Sequence, residues 1–237
     1  MNDEKARRVR EMFDGIAHRY DFLNHFLSLG TDVYWRRRAV RRMRILKRTE
    51  PLRILDLCCG TGDMALAVSR LGPVVGCDFS HPMLVRGLEK IGRRQPDHPV
   101  VLAEGDALRL PFPDGAFDAV TVAFGVRNFA DVPAGLREMG RVLRPGGVAG
   151  VLEFSHPVLP GFRQLFLAYF HRVLPALGRW VSGRAGAYSY LPASVMAFPS
   201  APAFARDLEA AGFVEVGFDR FTAGVAAFHW GRKPPIR

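Results

Sequence analysis

Residues 56–63 read DLCCGTGD, from Asp56 to Asp63, and pack an acid, two adjacent cysteines and a Gly60-Thr61-Gly62 turn into one short stretch. The preceding RILDL is rich in strand formers, and the following MALAVSRLG has helical character. Strand, glycine turn and helix in succession form the junction where an open α/β sheet brings its backbone close to a ligand. The pattern then repeats as PVVGCDF with PMLVRGLEKIGRR, VVLAEGD, FDAVTVAF with VPAGLREMGRVL, and VAGVLEF. This alternation predicts an α/β fold with a mostly parallel sheet and helices on both faces. Ser80 ahead of Pro82 predicts a helix start, and Pro145-Gly146-Gly147 predicts a helix stop feeding the next strand. AFARDLEAAGF predicts a further helix, and GFVEVGFDR with AGVAAFHWG predicts an antiparallel hairpin that closes the sheet.

The flanks are of another kind. Val9, Phe13, Ile16, Tyr20, Leu23 and Leu27 recur at intervals of three and four, which predicts amphipathic helix over 9–29 with a break near Gly15. Residues 157–199 interrupt the alternation; Phe166, Phe170, Val173, Leu174 and Leu177 keep helical spacing with Gln164, His171 and Arg172 opposite, as in a helical lid. A single domain is expected: a helical segment at 1–50, a cofactor-binding core at 51–156, the lid at 157–199, and the closing helix and hairpin at 200–237.

A chain of 237 residues buries a full core without staples. Three clustered cysteines, Cys58, Cys59 and Cys77, make no secreted disulfide framework, and MNDEKARRVR lacks the apolar run of a signal peptide. A cytoplasmic location is expected. No C-x-x-C pair or Cys/His cluster suggests a metal, so the thiols read as packing. Phe162–Leu177 is the nearest approach to a membrane span, but Arg163, His171, Arg172 and Pro175 interrupt it.

The formal charge is +10, and Arg36 to Arg48 holds eight Lys/Arg in thirteen residues. That stretch reads as a solvated helix face over Val40, Met43 and Leu46, or as a peripheral contact with anionic lipid headgroups. No nucleic-acid motif accompanies it. Monomer and homodimer are both left open.

Gly60-x-Gly62-x-x-Ala65 would pass as a dinucleotide fingerprint. The acids argue otherwise. Asp56 and Asp63 flank the turn and would repel a pyrophosphate, whereas they suit a cationic amino-acid moiety; Asp78 closes the second strand, placed for ribose hydroxyls. Asp106 beside the small Ala107 follows the third strand, placed for an adenine amino group. The set points to S-adenosylmethionine rather than NAD, and the Tyr-x-x-x-Lys pair of short-chain dehydrogenases is absent.

With these residues in view, the core resembles a Rossmann-like class I S-adenosylmethionine-dependent methyltransferase whose glycine loop reads D/E-x-G-x-G-x-G; Cys58 stands at the first glycine. Such a departure is tolerable if the position needs little positive-φ freedom. Tyr20, Asp21, Asn24, Leu27 and Ser28 with Trp35, then Phe124-Gly125-Val126-Arg127-Asn128, RVLRPGGVAGVLEFS (Arg141 to Ser155) and AYSYLPASV (Ala187 to Val195) resemble the quinone C-methyltransferases of menaquinone and ubiquinone biosynthesis. Two positions depart from that family: Asp32 replaces its histidine and Ala123 its serine. The resemblance implies Thr61, Asp78, Asp106 and Ala107 as cofactor contacts. It also implies a prenylated quinol as substrate, either demethylmenaquinol or a polyprenyl methoxy-benzoquinol. Methylation of another small apolar acceptor is the rival within the fold; a non-catalytic binding module would be expected to lack Arg127 and Asn128.

Methylating an aromatic carbon needs an ortho hydroxyl that loses its proton. A phenol with a pKa of about 10 moves down by roughly 1–3 units beside a cation. Arg127 is the expected cation, and Asn128 the expected partner of the second ring oxygen. A guanidinium stays protonated and cannot be the base; Tyr20 is placed as a proton relay or ring contact. The sulfonium supplies the electrophile, so no metal is demanded. Phe162, Phe166, Tyr169, Phe170, Tyr188 and Tyr190 are enough to line an apolar conduit.

Overall fold

The computed structural model describes residues 2–19, 28, 30–46, 51–169 and 186–235. Its sheet is organised around a strand of four residues. β1 (Ile54–Leu57) is buried at every position and lies parallel to β2 (Val74–Asp78) on one side and β4 (Phe117–Ala123) on the other, with Asp56 level with Gly76 and Thr121. β3 (Val100–Glu104) adds outside β2, and β5 (Leu143–Phe154) outside β4, both parallel. β7 (Ala226–Arg232) then pairs antiparallel with β5, and β6 (Val214–Phe221) antiparallel with β7. The order β3-β2-β1-β4-β5-β7-β6 is the expected mostly parallel sheet closed by a hairpin.

Strand periodicity of two divides the core. Leu55, Leu57, Val120 and Val122 pack with Leu136 and Met139 of α5 (Val132–Val142) and with Phe204 and Leu208 of α8 (Ala201–Ala210). Ile54, Ala119 and Val148 pack with Trp35, Ala39 and Met43 of α2 (Thr31–Leu46) and with Met64 and Val68 of α3 (Asp63–Val68). α4 (His81–Arg94) starts after Ser80 as expected. Pro145-Gly146-Gly147 does not separate helix from strand. α5 runs directly into β5, and the tripeptide forms a bulge where the pairing steps from Phe117 with Leu143 to Ala119 with Val148.

α1 (Asn2–Ile16) begins earlier than its apolar spacing indicates and carries Gly15 inside it; a 3₁₀ turn, Ala17–Arg19, follows. Apolar periodicity marks only the contact face, and polar anchors hold the rest. Lys5 Nζ donates to the Phe129 carbonyl at 2.6 Å, and Arg10 pairs with Glu104 at 2.8 Å. Tyr20, Leu23 and Leu27 lie outside the described residues. So do Phe170, His171, Arg172, Val173, Leu174 and Leu177 of the lid, whose described ends are α6 (Pro160–Ala168) and α7 (Gly186–Ala197).

The basic stretch is not one solvated face. Arg42 reaches both Asp219 oxygens at 2.8 and 2.9 Å and lies over Trp230, Arg38 lies over Phe221, and Arg36 is buried. Arg37, Arg41 and Arg44 are exposed; Lys47 and Arg48 lie outside the described residues. Among the described residues no helix is long and apolar enough to cross a membrane.

Trp35 fastens α2 to the far end of the sheet. It is 2% exposed, its Nε1 donates to Thr222 Oγ1 at 2.8 Å, and its ring meets Phe154 edge-on at 6.0 Å. Trp35→Ala is expected to cost about 3–5 kcal/mol, the range for truncating a buried aromatic, read as a lower urea midpoint.

Candidate active site

The loop after β1 is caught between two neighbours. The Gly60 N–H donates to Asp78 Oδ2 at 2.8 Å, and the other Asp78 oxygen accepts from the Ser80 N–H at 2.9 Å. Burial pushes the Asp78 carboxyl up, against these backbone donors. The two oxygens together keep acceptor capacity for a ligand. On the β4 side, Cys58 presses on Gly125: a Cβ there would stand 2.5 Å from Cys58 Cβ. Cys58 itself is left-handed, at φ 54, so this position does need positive-φ freedom, contrary to the expectation. A residue with a Cβ holds it at a cost in strain. Phe124 is left-handed as well, at φ 61.

The thiols fill space next to glycines. Cys59 Sγ would stand 3.0 Å from a Cβ at Gly76, and Cys77 Sγ 2.8 Å from one at Gly105. Burial raises all three thiols, Cys77 to about 12. Such groups are poor nucleophiles at neutral pH. Among the described residues no group of three or more His, Cys, Asp or Glu is placed to hold a metal.

A cleft opens at the carboxyl ends of β1, β2 and β4, where open α/β sheets bind their ligands. Of the residues expected from the sequence to be catalytic or to bind the cofactor, Gly60, Asp78, Asp106, Ala107 and Asn128 line it. Val9 and Phe13 of α1, with Phe79, Met83, Leu108 and Phe129, supply apolar walls. Asp106 Oδ1 accepts from the Leu108 N–H at 2.9 Å, which fixes its turn.

Asp56, Thr61, Gly62 and Arg127 stand behind that lining. Gly62 opens α3 at φ 86. Thr61 Oγ1 accepts from Lys90 Nζ at 2.9 Å, and the same ammonium lies 2.8 Å from Asp63. Asp63 also lies 3.8 Å from Arg36, so it is matched by cations of the protein rather than offered to a ligand. Arg36 pairs with Asp32, the residue at the family's histidine position, and Asp32 accepts from Ser28 Oγ at 2.7 Å. The sequence reading took Arg36 only as part of the basic stretch and gave Lys90 no role. Asp32 and Arg36, four apart on a helix, carried a local signal; Lys90 carried none. Ala123, the other departure, lines the cleft.

Asp56 is fully buried, with Oδ1 accepting from Thr121 Oγ1 at 2.8 Å and Oδ2 without a partner among the described residues. Burial raises its pKa to about 7, with the Thr121 hydroxyl and Arg36 opposing. Arg127 is no exposed loop residue. Its side chain is 8% exposed, and Nη1 donates to Glu153 Oε1 at 2.8 Å and to the Phe124 carbonyl. Asn128 Oδ1 accepts from the Tyr190 hydroxyl at 2.9 Å. Glu153 and Tyr190 belong to stretches noted in the sequence, yet their partners come from remote elements that spacing does not reveal. Tyr20 lies outside the described residues.

The model of the ubiE/COQ5 methyltransferase family matches residues 1–233. The chain belongs to this family. It is therefore a methyltransferase, with the fold of the class I S-adenosylmethionine-dependent enzymes. Members named demethylmenaquinone methyltransferase include one from Thermus thermophilus, 51% identical over 94% of this chain and 100% of its own, and one from Deinococcus radiodurans, 47% identical over 97% and 94%. A Geobacter sulfurreducens member named ubiquinone/menaquinone biosynthesis C-methyltransferase UbiE is 44% identical over 97% of this chain and 90% of its own. Among solved structures, an Aquifex aeolicus SAM-dependent methyltransferase aligns with a TM-score of 0.60 at 17% identity, covering 82% of this chain and 89% of that one. The [4+2]-cyclase SpnF aligns with a TM-score of 0.69 at 19% identity, covering 98% and 97%. A cyclase in the same fold shows that the fold alone does not set the reaction.

Two outcomes follow from the packing and charge of the site. The raised folded pKa of Asp56 means that its protonated form belongs to the native state. Its contribution to stability is full below its ordinary value of 3.8 and is lost as pH climbs through about 7. Asp56→Asn removes that dependence, so the ligand-free variant gains on the wild type between pH 5 and pH 8 in urea titrations. Gly125→Ala is expected to destabilise by about 1–3 kcal/mol through overpacking against Cys58. Combining it with Cys58→Gly restores most of the loss, and a double-mutant cycle measures the coupling.

Proposed function

We propose that the chain methylates a ring carbon of a prenylated quinol, converting demethylmenaquinol to menaquinol, with S-adenosylmethionine as donor. The observation that carries this reading is that one apolar-walled cleft holds Asp78 and Asp106 together with Asn128. The residues present fit the donor. Asp78 would accept from a ribose diol, Asp106 from an adenine amino group, and Ala107, Phe79, Met83 and Leu108 would offer the ring a small and apolar surround. Gly60, Thr61 and Gly62 shape the loop beside it, and a cationic amino-acid end would draw the buried Asp56 carboxyl, which burial raises to about 7, toward its ionised form. Bound there, S-adenosylmethionine supplies an electrophilic methyl group.

The rest is the work of this chain. The acceptor becomes nucleophilic as a hydroxyl ortho to its target carbon loses a proton, and the carbon that gains the methyl group then gives up its own hydrogen as a proton to restore the aromatic ring. Asn128 donates to a ring oxygen, and Arg127 supplies the adjacent guanidinium. Tyr20, outside the described residues, keeps the role expected from the sequence, a ring contact or proton relay. Val9, Phe13 and Phe129 exclude water from the ring. The apolar chain of such a substrate resides in a lipid bilayer, and exposed Arg37, Arg41 and Arg44 on α2 suit peripheral contact with anionic headgroups at the cytoplasmic face. The relatives named for demethylmenaquinone favour the menaquinone precursor; the UbiE relative is named for both quinones.

The test is methyl transfer from labelled donor to reduced demethylmenaquinone and to a polyprenyl methoxy-benzoquinol, side by side. Faster labelling of the first is expected, and exclusive labelling of the second would move the reading to ubiquinone biosynthesis. Asp78→Asn is expected to weaken S-adenosylhomocysteine binding by about 10–100-fold in calorimetry, the worth of a charge-assisted bond. Flotation with anionic liposomes, compared with neutral ones, tests the membrane contact; equal recovery from both would count against it.

A further inference from the structure

Arg127 and Asn128 follow one another on the 3₁₀ turn Val126–Asn128, and each is held by a residue from elsewhere. Glu153, one residue from the end of β5, has no solvent exposure. Its Oε1 accepts from Arg127 Nη1 and from the Phe154 N–H, both at 2.8 Å, and its Oε2 accepts from the Arg127 N–H at 3.4 Å. The guanidinium also lies 5.5 Å from the centre of the Phe154 ring. Arg127 is thus gripped at backbone and side chain, while its buried Nε–H has no acceptor among the described residues. Asn128 is gripped from the lid. The Tyr190 hydroxyl on α7 occupies its Oδ1, so the group Asn128 can offer the cleft is its NH₂.

We infer that Glu153 and Tyr190 are the positioning residues of the acceptor site: Tyr190 turns the Asn128 NH₂ toward the acceptor oxygen that becomes anionic, and Glu153 fixes the Arg127 guanidinium behind it. Donors set in advance around a developing oxyanion need no rearrangement at the moment of reaction. As the acceptor O–H bond breaks, its proton passes out to bulk water beyond the apolar walls, and the charge left on oxygen is met by the Asn128 NH₂. Burial raises both the Glu153 carboxyl and the Tyr190 phenol. Tyr190 therefore stays a hydroxyl that donates to Asn128 through the neutral pH range. Arg127 and Glu153 form a nearly neutral pair, so the stabilisation comes from donor placement rather than net charge. The other charged groups near Tyr190 are Glu4, Lys5 and Arg8 of α1, across a groove.

This inference rests on the quinol-methylation reading, and the experiment separates the two. The probe is 4-nitro-1-naphthol, an acceptor mimic whose anion absorbs visible light, titrated with pH on protein saturated with S-adenosylhomocysteine. Wild type is expected to bind it with a pKa below its free value. Tyr190→Phe and Glu153→Gln are expected to raise the bound pKa by about one unit, a tenfold loss in ionisation ratio, with S-adenosylhomocysteine affinity unchanged within twofold. Turnover of Tyr190→Phe is expected to fall by about 10–100-fold, the cost of a small misplacement. A bound pKa unmoved in both variants overturns the inference. So does a Glu153→Gln pKa that falls further, because an unbalanced Arg127 charge would then be the cause. If Glu153→Gln does not fold, Tyr190→Phe, which keeps the ring, decides alone. Wild type that neither binds the probe nor methylates demethylmenaquinol defeats the quinol reading itself.

Discussion

The bond from the Gly60 N–H to the Asp78 carboxylate ties the end of β1 to the end of β2, and the remaining geometry of the cleft depends on it. With the glycine loop drawn toward β2, its first residue, Cys58, must turn left-handed and press on Gly125 at the end of β4. Three strand ends then share one opening because β1 is in parallel register with both neighbours. Left-handed backbone at Cys58 and Phe124 costs of order 1–3 kcal/mol at each position. The fully buried Leu55, Val120, Leu136 and Leu143 of the core beneath are what hold it in place.

Charge is distributed by the same logic. A chain with a net charge of +10 keeps Asp32, Asp56, Asp78 and Glu153 buried around the site. Asp32 and Glu153 are matched by Arg36 and Arg127; Asp78 is matched by backbone amides. Buried ion pairs add little net stability, since desolvation offsets the attraction. What they supply is direction. Arg36 is fixed between Asp32 and Asp63, and Arg127 between Glu153 and the Phe124 carbonyl. The positive surplus is left to the surface, at residues such as Arg37, Arg41 and Arg44.

Much of this could be read directly from residue order. Apolar alternation with glycine turns foretold the sheet and its closing hairpin; of the acids at successive strand ends, Asp78 and Asp106 line the cleft, whereas Asp63 is taken up by Lys90 and Arg36. Two local readings failed for physical reasons. Pro145-Gly146-Gly147 carries the signature of a loop, but the strand tolerates it as a bulge because Lys233, just past β7, exchanges backbone bonds with Gly146 and Gly147. A cysteine in a glycine position carries no mark of its φ, which is imposed by the Asp78 and Gly125 contacts.

Sequence by itself determined the strand order of chemistry-bearing residues, the family, and the identity of the residues at the carboxyl edge, because those follow from local periodicity and short motifs. Only the tertiary structure decided which of them face the cleft and which stand behind it. Asp56 and Arg127 look alike in the sequence as free charges at strand ends; folding buries one against Thr121 and locks the other to Glu153. Tyr190 reaches Asn128 across 62 residues of chain. Spacing along the chain cannot report such pairs, because their partners are chosen by sheet register and by helices packed from opposite ends of the sequence.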